Sequence, residues 1–168
     1  MVKGRLLSGL WVGAFLAVCT AMPAAAQSVL NERQISLGLA SEAAEAAIMQ
    51  CRKDGFRVTV TVVDRSGQVK VVMRDDGTGP HTLDSSRGKA FTSLSFRLST
   101  AEFLRLVDTN PAAAHLTDIE GTLAVAGGLP IRAGDEVIGG IGVGGAPGGD
   151  RDEACAQAGI NRIADRLK

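Results

Sequence analysis

The most constraining feature of this sequence is the run from Gly127 to Ile160, GGLPIRAGDEVIGGIGVGGAPGGDRDEACAQAGI. It predicts two strands joined by a tight turn at Gly134-Asp135, followed by a glycine-rich loop and a helix. Asp150 and Glu153 have the spacing of a capping box, in which two side chains satisfy free N–H groups of the first helical turn. The chain is therefore expected to place an antiparallel hairpin immediately before its last helix.

The rest of the chain alternates short segments of helix and strand character. The predicted helices span residues 31–54, 84–98, 99–110 and 150–167, and the predicted strands span residues 57–64, 68–74, 122–126, 129–133 and 136–143. Because hairpins dominate and no strand–helix–strand unit occurs, an antiparallel sheet covered by helices is expected. The predicted fold class is α+β, with a five-stranded antiparallel sheet flanked by helices in the order α-β-β-α-α-β-β-β-α.

The first 26 residues have the pattern of a secretory signal peptide. Lys3 and Arg5 supply a positive start, Leu6–Cys19 an apolar stretch, and Ala24–Ala26 a small-residue cleavage site. The alternative is a membrane anchor, but the apolar stretch is shorter than the roughly 20 residues that a spanning helix needs. We therefore expect residues 27–168 to form a single exported domain, periplasmic or secreted, without a membrane span.

Charge and motifs exclude several classes of function. Two of the 18 basic residues and none of the 18 acidic residues lie in the signal peptide, so the mature chain is slightly acidic. It has no basic run with interleaved aromatic residues, which argues against nucleic acid as a partner. Gly140, Gly142 and Gly145 satisfy G-x-G-x-x-G, but the strand–helix–strand context of a dinucleotide site is missing. Close approach of neighbouring backbone explains these glycines better.

Export changes the interpretation of the cysteines. Cys19 leaves with the signal peptide, so the mature chain keeps Cys51 near the end of the first helix and Cys155 near the start of the last. If these helices pack antiparallel, the two thiols face each other, and an oxidising compartment favours a disulfide. Two unconnected buried thiols are the alternative. A catalytic cysteine is disfavoured, because neither residue has a histidine near it in sequence.

The segment from Arg74 to Lys89 contains the candidate binding residues. It places His81 among charged side chains around one loop and the start of one helix. Arginine or lysine here could hold ligand carboxylates, and free N–H groups at the helix start favour anions. An ordinary solvated loop is the alternative. His115, in the unassigned segment before residue 122, is a second histidine that could bind a metal, although a surface role is its default.

A set of short segments spread over nearly all of the mature chain is specific when taken together. The segments are Val58–Asp64 with Gly67, Arg74–Gly77, Pro80–Thr82, Lys89–Thr92, Gly127–Ile131, Val137–Gly139, Gly142–Val143, Asp152–Glu153 and Cys155–Ala156. On these segments the chain resembles the GlcG/HbpS-type haem-binding family, also called the haem-degrading domain family. One departure is Gly144, where the family commonly has serine in a Gly-Val-Ser-Gly turn.

The resemblance implies a profilin-like sheet, homo-oligomers and, in several members, bound haem or a related tetrapyrrole. The chain has no tyrosine, so candidate axial ligands are the two histidines, Met49, Met73 and reduced cysteines. His81 is the first choice for the iron and His115 the second. Arg74 and Lys89 are predicted to hold the haem carboxylates, and Thr82 belongs to the same matched triplet, Pro-His-Thr.

Three functions follow as hypotheses. The leading one is an exported, oligomeric haem-binding protein that sequesters or carries haem, linked to iron or redox sensing and without turnover chemistry of its own. The second is an enzyme acting on a small carboxylate metabolite, with His81 or Lys89 as acid–base catalyst and Arg74 as anchor. The third is a non-catalytic module that binds a partner protein.

Overall fold

The computed structural model describes residues 29–168, and the predicted signal peptide at residues 1–26 lies outside the described residues. The helices are α1 (Leu37–Lys53), α2 (His81–Phe96), α3 (Thr100–Thr109) and α4 (Gly149–Ile163), and the strands are β1 (Thr59–Asp64), β2 (Val69–Arg74), β3 (Gly128–Ala133) and β4 (Glu136–Gly144). Two 3-10 helices, Pro111–Asp118 and Ala164–Arg166, follow α3 and α4. Glu32–Lys168 form one compact unit. None of the helices within residues 29–168 is long and apolar enough to cross a membrane.

The four strands form an antiparallel sheet in the order β2-β1-β4-β3. All six residues of β1 are buried, because side chains that alternate along a strand meet a helical layer on each face. Val60 and Val62 belong to the apolar core with α1 and α4, whereas Thr59 and Thr61 hydrogen-bond to side chains of α2. Helices α1 and α4 therefore cover one face of the sheet, and α2 covers the other.

The predicted fifth strand, residues 122–126, is wrong. This segment is irregular, and the sheet has four strands within residues 29–168. Its hydrogen bonds go elsewhere: the Thr122 hydroxyl lies 2.8 Å from the Ile119 carbonyl oxygen, and the Leu123 N–H donates to Thr92 Oγ1 of α2 at 2.7 Å. The α+β class and the antiparallel pairing are confirmed, whereas the likeness to profilin stays a prediction.

Three helices begin at other residues than predicted. α1 was expected from residue 31 but begins at Leu37, with the Ser36 side chain as its N-cap. α2 begins at His81, three residues before the expected start at Asp84. The predicted capping box of Asp150 and Glu153 is not formed, and Gly148 occupies the N-cap of α4 without a side-chain bond. Asp150 therefore lies within the first helical turn and not at the N-cap. The loop before the helix is held by Asp152, whose Oδ1 accepts the Ala146 N–H at 3.0 Å.

Glycines of β4 let the backbone of α2 lie directly on the sheet. A Cβ atom at Gly142 would lie 2.1 Å from the Ser86 carbonyl oxygen, and one at Gly140 would lie 2.4 Å from that of Ala90. These distances are far below van der Waals contact, and the obstructing atoms belong to backbone that cannot rotate away. The G-x-G spacing of this strand is therefore explained by close packing, as predicted.

Replacing Gly142 with alanine is expected to lower the free energy of unfolding by about 3 kcal/mol, the upper range for overpacking a core, because α2 must move off the sheet. The measurement is urea unfolding followed by circular dichroism. Gly38→Ala is the matched control, because a Cβ at Gly38 meets nothing within 4 Å. Because Gly38 lies in a helix, where alanine is favoured over glycine, this control is expected to leave the free energy of unfolding unchanged or raise it by up to about 1 kcal/mol. Equal stabilities of Gly142→Ala and the parent protein would contradict the prediction.

The predicted disulfide is present between Cys51 of α1 and Cys155 of α4. Both cysteines are fully buried, and their Cα atoms are 5.6 Å apart. Small residues allow the two helices to come this close: a Cβ at Gly159 would lie 2.5 Å from the Ala43 carbonyl oxygen. The disulfide therefore joins two helices that already pack with little side-chain volume between them.

Candidate functional site

The start of α2 carries the first candidate residue, His81. Pro80 precedes the helix and contributes no side-chain cap, so α2 begins in the loop after β2. The His81 side chain is exposed, and its ring lies over Gly79, where a Cβ would be 2.7 Å from the imidazole Cε1. Within residues 29–168 the structure gives this imidazole no hydrogen-bond partner. His81 is therefore an exposed imidazole without a hydrogen-bond partner among the described residues.

His81 lies at a cleft of about 450 Å³ between α2 and the irregular segment 121–123. Side chains three, four and seven residues apart share one face of a helix, so the first turns of α2 form one wall. A Cβ at Gly88 would lie 3.0 Å from Leu123 Cβ, so this glycine allows the two walls to meet. The lining residues are His81, Asp84, Ser85, Arg87, Gly88, Gly121, Thr122 and Leu123.

Ser85 of α2 lies next to Gly144, the position at which the family commonly has serine. A Cβ at Gly144 would lie 2.5 Å from Ser85 Oγ, so the α2 hydroxyl occupies the space of a residue-144 side chain. The hydroxyl group next to this end of β4 therefore comes from α2.

Lys89 does not lie in the cleft. Its side chain is buried, and its Nζ donates to Asp152 Oδ2 at 2.7 Å and to the Val143 carbonyl oxygen at 2.9 Å. Burial raises the pKa of Asp152, while the bond from Lys89 and the amides of residues 145 and 146 act in the opposite direction. Lys89 thus links α2 to β4 and α4. The geometry does not support the predicted contact between Lys89 and a ligand carboxylate.

Thr82 and Arg74 are also engaged within the protein. Thr82 is buried, lies 2.7 Å from Thr59 Oγ1 and donates to the Gly79 carbonyl oxygen at 2.6 Å. Arg74 is exposed and donates to the Thr78 carbonyl oxygen. Neither side chain lines the cleft that contains His81.

The other predicted iron ligands lie outside this cleft. His115, on the 3-10 helix after α3, is 90% exposed, and its Nδ1 lies 2.9 Å from Asp118 Oδ2. Met49 is exposed on α1, and Met73 packs against the core on the α1 side of the sheet. No cluster of three or more His, Cys, Asp or Glu residues occurs within residues 29–168.

Arg87 is a cation of the charged segment from Arg74 to Lys89 for which no individual role was predicted. It is exposed and shares the cleft with His81. The signal that identifies it is the spacing of three residues from His81 to Asp84 and again from Asp84 to Arg87, which forms a row of side chains along α2. Placing the helix start at Asp84 hid this relation.

Glu153 lies in a separate cleft that contains a second acidic residue, Asp150. Glu153 lies beside Ala101, Ala126, Asp150 and Gln157, and its Oε2 is buried without a partner among the described residues. Burial raises the pKa of Glu153, and the charge of Glu102 adds to that increase. No cation lines this cleft, so it is poorly suited to an anionic ligand.

Comparisons with known proteins agree with this architecture. A family model described as haem degrading protein, HbpS-like, matches residues 35–161. A double mutant of HbpS from Streptomyces reticuli is 43% identical, with a TM-score of 0.77 over 84% of this chain and 96% of that one.

Two further similarities are weaker. The complex of PduOC with haem is 22% identical, with a TM-score of 0.70 over 77% of this chain and 95% of that one. An uncharacterised 15.0 kDa protein from the dhaT–dhaS intergenic region of Citrobacter freundii is 29% identical over 66% of this chain and 80% of its own length.

Proposed function

The chain belongs to the HbpS-like haem degrading protein family, and we propose that it binds haem in the His81 cleft. The observation that carries the proposal is that the exposed imidazole of His81 and the Arg87 guanidinium line the same cleft. An imidazole is a common axial ligand of haem iron, and a guanidinium pairs with carboxylates such as the haem propionates. The fold itself is compatible, because a protein of the same fold was crystallised with haem.

In this proposal His81 binds the iron and Arg87 pairs with a propionate. Leu123, Gly88 and Gly121 contribute apolar contact. Bound haem would supply a redox-active iron, which agrees with a role in sequestering or carrying haem or in sensing iron and redox state. Lys89 and Thr82 support the site indirectly, because they hold α2 against the sheet.

Export is part of the same proposal. The signal pattern at residues 1–26 and a buried disulfide both suit an oxidising compartment outside the cytoplasm, either the periplasm or the medium. Homo-oligomers, which the family resemblance implies, belong to the proposal as well.

A hemin titration of the mature protein tests the His81 assignment. The parent protein is expected to give a saturable, sharp shift of the Soret band. His81→Ala is expected to weaken binding by more than about 10-fold, since even partners of metal ligands change affinity on that scale. His115→Ala is the matched control and is expected to bind like the parent. Unchanged affinity and spectrum in His81→Ala would remove His81 from the site.

A second candidate function uses the same cleft. Its lining includes both an acid–base group, His81, and a carboxylate anchor, Arg87, as an enzyme acting on a small carboxylate metabolite requires. The titration separates the two candidates. A broad, non-saturating spectral change would indicate surface adsorption of haem and would favour this enzyme.

A further inference from the structure

A groove runs along β3, the strand at one edge of the sheet. Among the described strands β3 pairs with β4 alone, and it is contacted by α3 and α4. Two clefts lie along this edge, one of about 490 Å³ beside Pro130 and one of about 360 Å³ beside Ala126. Gln157 of α4 lines both clefts, so they form one continuous groove.

The strand edge offers a hydrogen-bond acceptor to this groove. The Gly127 carbonyl oxygen accepts the Val143 N–H of β4 at 2.9 Å, whereas the Gly128 N–H points away from β4 and donates to Thr100 Oγ1 at 2.8 Å. Because backbone groups alternate in direction along an antiparallel strand, Pro130 also turns its backbone away from β4. Proline has no N–H, so the edge presents a carbonyl oxygen here without a donor beside it.

The same proline disfavours a second β3 strand as the occupant of the groove. Two strand edges pair only when each supplies N–H groups as well as carbonyl oxygens. Pro130 lies in the middle of β3, where a ladder would need that donor, and proline on an edge strand is a common device against edge-to-edge pairing. A short ligand that donates one N–H to the Pro130 carbonyl needs no ladder.

The two ends of the groove carry opposite charges. Among the described residues, Glu153 lines one end together with a second carboxylate and no cation. Arg97 and Arg132 line the other end, where Arg132 donates to the Arg97 carbonyl oxygen at 2.7 Å. A guanidinium has five N–H donors, so Arg132 keeps donors for a ligand. Glu102 also lines this part, but its carboxylate accepts the Ser99 N–H in the capping box of α3.

Glu153 has an acceptor that the described residues leave unsatisfied. Its Oε2 is buried without a hydrogen-bond partner among them. Burial and the charge of Glu102 raise the pKa of Glu153, while the Gly127 N–H acts in the opposite direction. A buried acceptor without a donor is costly. A ligand ammonium group would supply both the missing donor and the compensating charge.

The span of the groove sets the length of its ligand. From Gly128 to Arg132 the strand advances about 13 Å at about 3.3 Å per residue, the length of an extended peptide of four residues. Pro130 and Ile160 supply apolar contact between the charged ends. We propose that this groove binds a short extended peptide of about four residues. Its amino group lies at Glu153, one main-chain N–H at the Pro130 carbonyl, and its carboxylate at Arg132.

A fluorescence titration with the tetrapeptide Val-Ala-Trp-Ala tests this inference. The only tryptophan of the chain, Trp11, lies in the predicted signal peptide, so the mature protein does not obscure the emission of the probe. We expect a saturable blue shift. Acetylating the amino group or amidating the carboxylate is expected to weaken binding more than about 10-fold in each case, because each change removes a charge-assisted hydrogen bond. No saturable shift, or equal affinity of all three peptides, would overturn the inference.

Two variants assign the ends of the peptide. Glu153→Gln is expected to weaken the free peptide more than about 10-fold and to leave the acetylated peptide unchanged, and Arg132→Gln is expected to do the same for the amidated peptide. Glu45→Gln is the matched control, because Glu45 is exposed on α1. His81→Ala should bind the peptide like the parent, since no residue lines both the groove and the His81 cleft.

The same variants define the result that would contradict the site. A Glu153→Gln protein with a native circular dichroism spectrum and the parent's affinity for the free peptide would remove the amino group from this end. Displacement of the peptide by butylammonium with equal affinity would show a site for a cation alone and would also overturn the inference. Neither outcome bears on haem binding, because the hemin titration concerns the separate His81 cleft.

Discussion

Replacing both Cys51 and Cys155 with alanine is expected to lower the free energy of unfolding by about 4 kcal/mol relative to the parent protein. The disulfide joins residues 104 positions apart, and closing a loop of about 100 residues is worth about 4.7 kcal/mol in the chain-entropy model. The unfolded chain gains this freedom once the bond is absent. Urea unfolding under oxidising conditions measures the difference.

Two comparisons sharpen this test. Parent protein treated with dithiothreitol should approach the stability of the double variant, because both lack the same covalent bond. The unfolding free energy of the double variant should also depend more steeply on urea than that of the parent, since an unlinked unfolded chain exposes more surface. A loss below about 1 kcal/mol would show that packing between α1 and α4 already restricts the unfolded state.

Lys89→Met is expected to lower the free energy of unfolding by about 3–5 kcal/mol, the usual effect of leaving one partner of a buried ion pair alone. The Asp152 carboxylate would stay buried without its cation, and the Val143 carbonyl would lose a donor. Thermal and urea unfolding at neutral pH measure the change.

The matched control is Lys70→Met. Lys70 Nζ lies 3.7 Å from Asp64 Oδ2, beyond hydrogen-bond distance, and its side chain is 30% exposed, so this pair contributes at most about 1 kcal/mol. Adding Asp152→Asn to Lys89→Met should recover part of the loss, because an amide has no charge and still accepts the Ala146 N–H. Equal losses in Lys70→Met and Lys89→Met would show that the buried pair has no special role.

Local signals made much of the fold predictable. The turn at Gly134-Asp135 and the glycine at residue 67 lie between strands that pair as expected, because hairpin turns are encoded by their own residues. The Cys51–Cys155 pair was also predictable, since both positions follow from the helices that carry them. These predictions needed only short-range chemistry and helix packing.

Other features depend on distant residues and could not be predicted in this way. Lys89 looked like a ligand-binding lysine because its partner, Asp152, is 63 residues away in sequence. The false fifth strand arose because Thr122 has strand propensity, although its hydroxyl bonds to carbonyls of the preceding turn. The start of α2 was displaced because Pro80 opens the helix without a capping side chain.

The bare backbone contact between α2 and the glycines of β4 has a consequence for ligand selection. A helix that touches a sheet without intervening side chains has no layer that can compress, so α2 cannot retreat to widen the cleft. The opposite wall, segment 121–123, is irregular and is attached to α2 through the Leu123 N–H and Thr92. We therefore expect any change in the width of the cleft to come from segment 121–123, and discrimination between flat and bulky ligands to depend on that segment.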